Sequence, residues 1–218
     1  MPLEKQLSKA FLISLAGLIG FIGTSFLIRM EHVVQFDLSV LSAISKLVNP
    51  LLTSIMLFFS FIGNPSSVVV LTILIMFFLY VILRHRRELI LLATVMLGTS
   101  ILNILLKLIF QRVRPEINIL IEQTGYSFPS GHSMGAFSLY AILTFILWRH
   151  VPSKLGRFFL ILFSTCMIIT IGISRLYLGV HYPSDVIGAY FISGFWVFLA
   201  IWFFQSWEER KGIQKETK

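Results

Sequence analysis

Acidic residues are scarce: ten of 218, and only Asp37 and Asp185 among them are aspartates. A hydrolase that clamps phosphate between two metal ions needs several carboxylates in one place, and this chain is too poor in them to offer an obvious cluster, so metal-independent chemistry is expected. Cysteine is scarcer still. Cys166 stands alone inside an apolar run, which excludes an intramolecular disulfide and leaves the redox compartment open. No Pro/Ser/Gly-rich linker or low-complexity stretch interrupts the sequence, so a single domain over 1–218 is expected. The formal charge of +8 does not mark a nucleic-acid surface, because the basic residues lie between apolar runs rather than in one patch interleaved with exposed aromatics.

What the chain has in abundance is apolar sequence, with 56% hydrophobic residues and a mean hydropathy of +0.87. A spanning helix needs roughly 20 predominantly apolar residues. Five runs come near that length, at 10–28, 66–83, 89–106, 158–174 and 186–206. A sixth, 133–148, is shorter and begins against Pro129-Ser130-Gly131-His132, as a helix does when it starts inside a protein-lined cavity. No small-residue cleavage site follows the charged N-terminus, so 10–28 is read as a retained span. The apolar segment 51–63 is short and bounded by Asn49-Pro50 and Asn64-Pro65. It is read as re-entrant or interfacial. The fold class expected is therefore an all-α integral membrane protein with six transmembrane helices and a short re-entrant or interfacial segment before the second.

Charge sets the orientation, because short cytoplasmic loops are rich in Lys and Arg. With both termini inside, the cytoplasmic side collects Lys5, Lys9, the cluster Arg84-His85-Arg86-Arg87, Arg149, Lys154, Arg157, Arg210, Lys211, Lys215 and Lys218. Trp148 and Trp207 fit an aromatic belt at that face. The other basic residues, Arg29, Lys46, Lys107, Arg112, Arg114 and Arg175, fall near the extracytoplasmic side.

On that second side the sequence assembles an anion site. Ser130, Gly131 and His132 stand where a loop becomes a helix, and the unpaired N–H groups of a helix start bind phosphate readily. Gly131 permits close backbone approach, Ser130 offers a hydroxyl, Arg114 and Arg175 offer guanidinium forks, and Lys107 adds a point charge. Asp185 follows His181 by four residues, with Pro183 between them as a first helical residue. A carboxylate on Nδ1 of His181 would fix its tautomer and leave Nε2 as a nucleophile toward phosphorus. His132 would protonate the departing lipid alkoxide, a poor leaving group without a proton donor. Arg112 is read as snorkelling to the interface. Glu116, Glu122, Glu31, His32 and Asp37 are read as solvated surface groups.

The pattern Lys107-x6-Arg114-Pro115, then Pro129-Ser130-Gly131-His132, then Ser174-Arg175-x5-His181-x3-Asp185 resembles the three-part signature of the type 2 phosphatidic acid phosphatase superfamily. The resemblance runs from the third expected span to the sixth, with no departure within the motifs. It implies a membrane lipid phosphatase in which Lys107, Arg114, Ser130, Gly131 and Arg175 bind phosphate, His181 attacks, Asp185 orients it and His132 is the acid. It implies no metal and no cofactor. The partners implied are the bilayer and a phosphorylated lipid: phosphatidylglycerophosphate, undecaprenyl diphosphate or phosphatidic acid. A phosphotransferase of the same superfamily is the nearest rival, and a transporter that merely binds anionic headgroups is the rival from another class. A transporter has no need of an Asp-oriented histidine beside a second histidine.

Overall fold

Helix starts and stops in this chain follow local chemistry. The computed structural model describes residues 3–81 and 86–216, with side chains from Lys9 to Val81 and from Arg86 to Arg210. Arg84, His85 and Lys218, placed above on the cytoplasmic side, lie outside the described residues, as does the end of the run 66–83. For Lys5, Lys211 and Lys215 only the helical backbone is described.

The order is α1 (Leu3–Arg29), α2 (Val34–Ser45), α3 (Pro50–Ile62), α4 (Pro65–Val81), α5 (Arg86–Phe110), α6 (Gly131–Leu147), α7 (Lys154–Tyr177) and α8 (Pro183–Glu216), with no strand among the described residues. Asn49 caps α3 by accepting from Leu52 N at 3.0 Å, and Pro50 fills the first helical position. Ser153 caps α7 in the same way, accepting from Gly156 N at 3.0 Å. By length and composition α1, α5, α7 and α8 can cross a membrane; α3 and α4 qualify as a pair bent by 55°, while α2 and α6 are shorter apolar helices.

The helices succeed one another up and down, so the C-terminal ends of α5 and α7 meet the N-terminal ends of α6 and α8. That end holds all three sequence motifs. α8 is the central post, packed against α1, α5 and α6. Leu92, Val95, Leu139, Ile142, Val197 and Ile201 form the core between these helices. α1 comes close to α8 because Gly17 has no side chain: a Cβ there would stand 2.7 Å from Phe195 N. Ser14 Oγ then donates to Phe195 O at 3.0 Å. Gly20 also faces α8, through Phe191, whereas Gly23 faces open space.

α3 runs beside α7. Its start meets the Tyr177 hydroxyl, which takes a bond from Asn49 N at 3.2 Å and lies 2.9 Å from Thr53 Oγ1. Its last residues reach Ile171 and His132, the nearest side chains to a Cβ built on Gly63. The segment before it, read from sequence as a solvated outer stretch, is the helix α2, and Asp37 within it is fully buried.

Candidate active site

Ser130 ends a loop and caps α6, its oxygen accepting from Ser133 Oγ at 3.0 Å and from Ser133 N at 3.4 Å. Gly131 and His132 are the first residues of the helix, so its free N–H groups open where the sequence placed them. The loop behind is pinned to α5. Asn103 Nδ2 donates to Pro129 O at 3.1 Å, and Lys107 Nζ, one turn on, donates to Tyr126 O at 2.9 Å. Phe128-Pro129 is a cis peptide. Ser130 N donates to Asp185 O at 3.3 Å, which joins the second motif directly to the third.

Gly179, at φ +73°, makes the turn that delivers His181 to the site; a Cβ there would strike the Asn118 carbonyl, so no other residue fits. α8 then begins at Pro183, as its position in the sequence predicts. His181 is completely buried, with Nδ1 3.4 Å from Asp185 Oδ2. Its Nε2 lies 3.3 Å from Arg114 Nη1. A guanidinium can only donate, so Nε2 is the acceptor and the ring proton sits on Nδ1, facing the carboxylate. Burial pulls the His181 imidazole down to about 4, against the opposing effects of the Asp185 hydrogen bond and charge. At neutral pH the ring is therefore uncharged, with its lone pair on Nε2 facing the Arg114 guanidinium.

Arg114 reaches that nitrogen directly, and Arg175, Lys107 and His132 lie within electrostatic reach of the cluster. Arg114 is held by carbonyls: Gly125 at 2.9 Å, Val180 at 2.7 Å, Thr124 at 3.2 Å and Tyr126 at 3.1 Å. Burial lowers its pKa, with Asp185 opposing. Arg175, 1% exposed, is clasped by Ser60 Oγ from α3 and Gln123 Oε1 from the loop after α5. Its Nε is buried with no hydrogen-bond partner among the described residues. Lys107 and His132 complete the group, His132 lying within electrostatic reach of Arg175, His181, Lys107 and Arg114. Positive charges and helix-start N–H groups gathered beside one unprotonated nitrogen suit the charge of a phosphate oxyanion.

Residues 88–209, which include all three motifs, match the PAP2 superfamily. The chain belongs to it. A relative, phosphatidylglycerophosphatase B of Bacillus subtilis, is 40% identical over 103 residues, 46% of this chain and 50% of that protein. Lipid A 4′-phosphatase of Bacteroides thetaiotaomicron is 37% identical over 79 residues, 35% of this chain and 32% of that one. These matches thus span about half and a third of the relatives' lengths. In three dimensions, the crystal structure of a transmembrane PAP2-type phosphatidylglycerolphosphate phosphatase from Bacillus subtilis superposes with a TM-score of 0.81 at 26% identity, covering 90% of this chain and 96% of that one. LpxE of Aquifex aeolicus superposes with a TM-score of 0.61 at 25% identity, covering 76% and 94%. A PAP2 membrane protein of several crossings accounts for the apolar helices.

The eight residues singled out from the sequence, Lys107, Arg114, Ser130, Gly131, His132, Arg175, His181 and Asp185, lie together where the ends of α5 and α7 meet the starts of α6 and α8. Two other readings need correction. Arg112 does not snorkel. Its guanidinium lies between two buried carboxylates, Nη1 donating to Asp185 Oδ1 at 2.6 Å and Nη2 to Asp37 Oδ2 at 2.8 Å. Asp37 is not solvated either, being 0% exposed and accepting from Ser184 N at 2.9 Å and Ser184 Oγ at 2.6 Å. A buried carboxylate without its cation is strongly destabilised, so Arg112 serves both Asp37 and Asp185. Ser60, Asn103 and Gln123 were also missed. Polar residues in or beside apolar runs were the available signal, and it did not say which of them would face the pocket.

Proposed function

We propose that this protein hydrolyses a lipid phosphate at the pocket around His181, without a metal ion. The observation that carries this reading is the placement of the His181 ring, with Nδ1 facing Asp185 at 3.4 Å and Nε2 facing Arg114 at 3.3 Å. Nε2 attacks phosphorus, and the bond from phosphorus to the lipid oxygen breaks. His132 gives that oxygen its proton, which releases the lipid alcohol and leaves a phosphohistidine. Water, deprotonated by His132, then opens the phosphohistidine and frees inorganic phosphate. Lys107, Arg175 and the N–H groups at the start of α6 hold the phosphoryl oxygens through both steps, and the Arg114 N–H that faces Nε2 turns to them as the nitrogen attacks. Among the described residues no three His, Cys, Asp or Glu side chains are grouped to hold a metal ion.

The preferred substrate on this reading is phosphatidylglycerophosphate, the chemistry named for the Bacillus subtilis relative and for the crystal structure with the higher TM-score. Six crossings, with α3 and α4 as two halves of one, return the chain to the side on which it starts. The pocket then lies at the extracytoplasmic face, because Arg86, Arg87, Arg149, Lys154 and Arg157 all belong to the opposite end.

Phosphate release from phosphatidylglycerophosphate, phosphatidic acid and undecaprenyl diphosphate in detergent micelles tests the proposal. Turnover highest on phosphatidylglycerophosphate, unchanged by EDTA and reduced on the order of 10⁴-fold or more in His181→Ala, is the expected result. Turnover that needs added Mg²⁺, or that survives His181→Ala, refutes the mechanism.

A further inference from the structure

We propose that Arg112 and Asp37 are positioning residues, which grip the back of Asp185 and so hold the His181 ring in its attacking orientation. This rests on the reading of His181 as nucleophile.

Asp185 stands in the first turn of α8, and both of its oxygens are committed. Oδ2 accepts from Tyr182 N at 2.9 Å and faces Nδ1 of His181 at 3.4 Å. Oδ1 accepts from Arg112 Nη1 at 2.6 Å. The carboxylate plane, and with it the direction from Oδ2 to the imidazole, is therefore set from behind by Arg112. The arginine has a fixed position of its own. Nη1 also donates to Ser184 Oγ at 2.7 Å, Nη2 donates to Asp37 Oδ2 at 2.8 Å, and Cζ lies 4.2 Å from the centre of the Tyr182 ring. Asp37 anchors the far side, accepting from both the N–H and the hydroxyl of Ser184 where the helix dipole favours an anion. The links run from α2 through the loop after α5 to the start of α8 and end at the nucleophile. A lysine offers one point charge and cannot bridge both carboxylates as the planar fork does. In metal sites, outer partners of this kind cost 10–100-fold when removed, and a carboxylate that orients a histidine meets the same demand.

Arg112→Ala, Arg112→Lys, Asp37→Asn and the double variant Arg112→Ala/Asp37→Asn, made in the full chain, are assayed on phosphatidylglycerophosphate micelles, with kcat expressed per folded protein from thermal unfolding. Arg112→Ala is expected to lose about 10–100-fold in kcat with KM within about twofold. Asp37→Asn and Arg112→Lys should lose less, and the double variant no more than Arg112→Ala, since both residues act through one carboxylate. Inhibition by orthovanadate, which needs a well-aimed Nε2, should weaken in parallel with kcat, while inhibition by inorganic phosphate stays as in wild type. Wild-type kcat per folded molecule with a lowered unfolding temperature overturns the proposal and makes the network a staple between α2 and α8. A raised KM at unchanged kcat also overturns it, by placing Arg112 on the substrate. If Arg112→Ala does not fold, Arg112→Lys and Asp37→Asn decide by the same split. His181→Ala is assayed alongside. An active His181→Ala removes the underlying reading, whereas an inactive one beside wild-type turnover in the Arg112 and Asp37 variants removes this proposal alone.

Discussion

His181 presents its two nitrogens to opposite surroundings, a carboxylate on Nδ1 and a guanidinium donor on Nε2. Because burial holds its pKa at about 4 instead of the ordinary value near 6.5, the ring stays neutral well into acid. Protonation removes the lone pair that attacks, so kcat/KM should hold down to about pH 5 and fall toward pH 4 on the acid side. The same depressed pKa makes the native state more stable above the unfolded value of about 6.5, and that contribution is lost as pH falls from there through about 4. A pH profile in micelles measures this limb, and an acid limb centred near 6.5 would contradict the buried, neutral ring. The motif residues were legible in the sequence because their chemistry and spacing are local: four residues join His181 to Asp185, and one loop holds Ser130 to His132. Asp37 and Arg112 were not. They meet across 75 positions, and nothing in the composition near either one announces its partner.

At the scale of elements, close approach of helices depends on where side chains are missing. Gly17 sits against the α8 backbone, with 2.7 Å left for a Cβ, whereas Gly23 has nothing within 4 Å. Gly17→Ala is therefore expected to separate α1 from α8 and destabilise the protein by about 1–3 kcal/mol, the usual cost of overpacking. Gly23→Ala should be neutral or, through helix propensity, stabilising by up to about 1 kcal/mol. Thermal unfolding in detergent compares the two, and equal effects would refute this account of the α1 and α8 contact. The sequence marked the small residues but not which face they share, since α1 is apolar all round and its periodicity points nowhere. α2 escaped notice for a related reason: it mixes Gln35, Asp37 and Ser residues with short apolar stretches and never reaches spanning length. α3 was recognisable as a separate apolar segment because Asn49-Pro50 and Asn64-Pro65 bracket it. Its docking on α7, which brings Ser60 to Arg175 and Gly63 beside His132, depends on contacts distant in sequence.

For the molecule as a whole, the arrangement separates an end of motifs from an end of basic loops. At the latter, Arg149 pairs with Glu208 at 3.2 Å and Arg157 lies 4.8 Å over the Trp148 ring. With Cys166 replaced by Ser, a cysteine at Thr124 should react with a membrane-impermeant maleimide in intact cells, and one at Lys154 only after permeabilisation. The reverse pattern would invert the topology. Charge distribution is what proposes this orientation from sequence, whereas the joining of α3 and α4 has no such signal, because a break at Gly63-Asn64-Pro65 is compatible with either a re-entrant hairpin or a bent crossing.

The central claim is a covalent phosphoryl group on one nitrogen of one residue. Rapid mixing with phosphatidylglycerophosphate, a denaturing quench at alkaline pH, where phosphohistidine survives, and peptide mass spectrometry test it directly. A single phosphorylated peptide, modified at His181, should form before free phosphate accumulates and be missing from His181→Ala. Phosphate on another residue, or release of phosphate with no phosphoenzyme at any time, would contradict it.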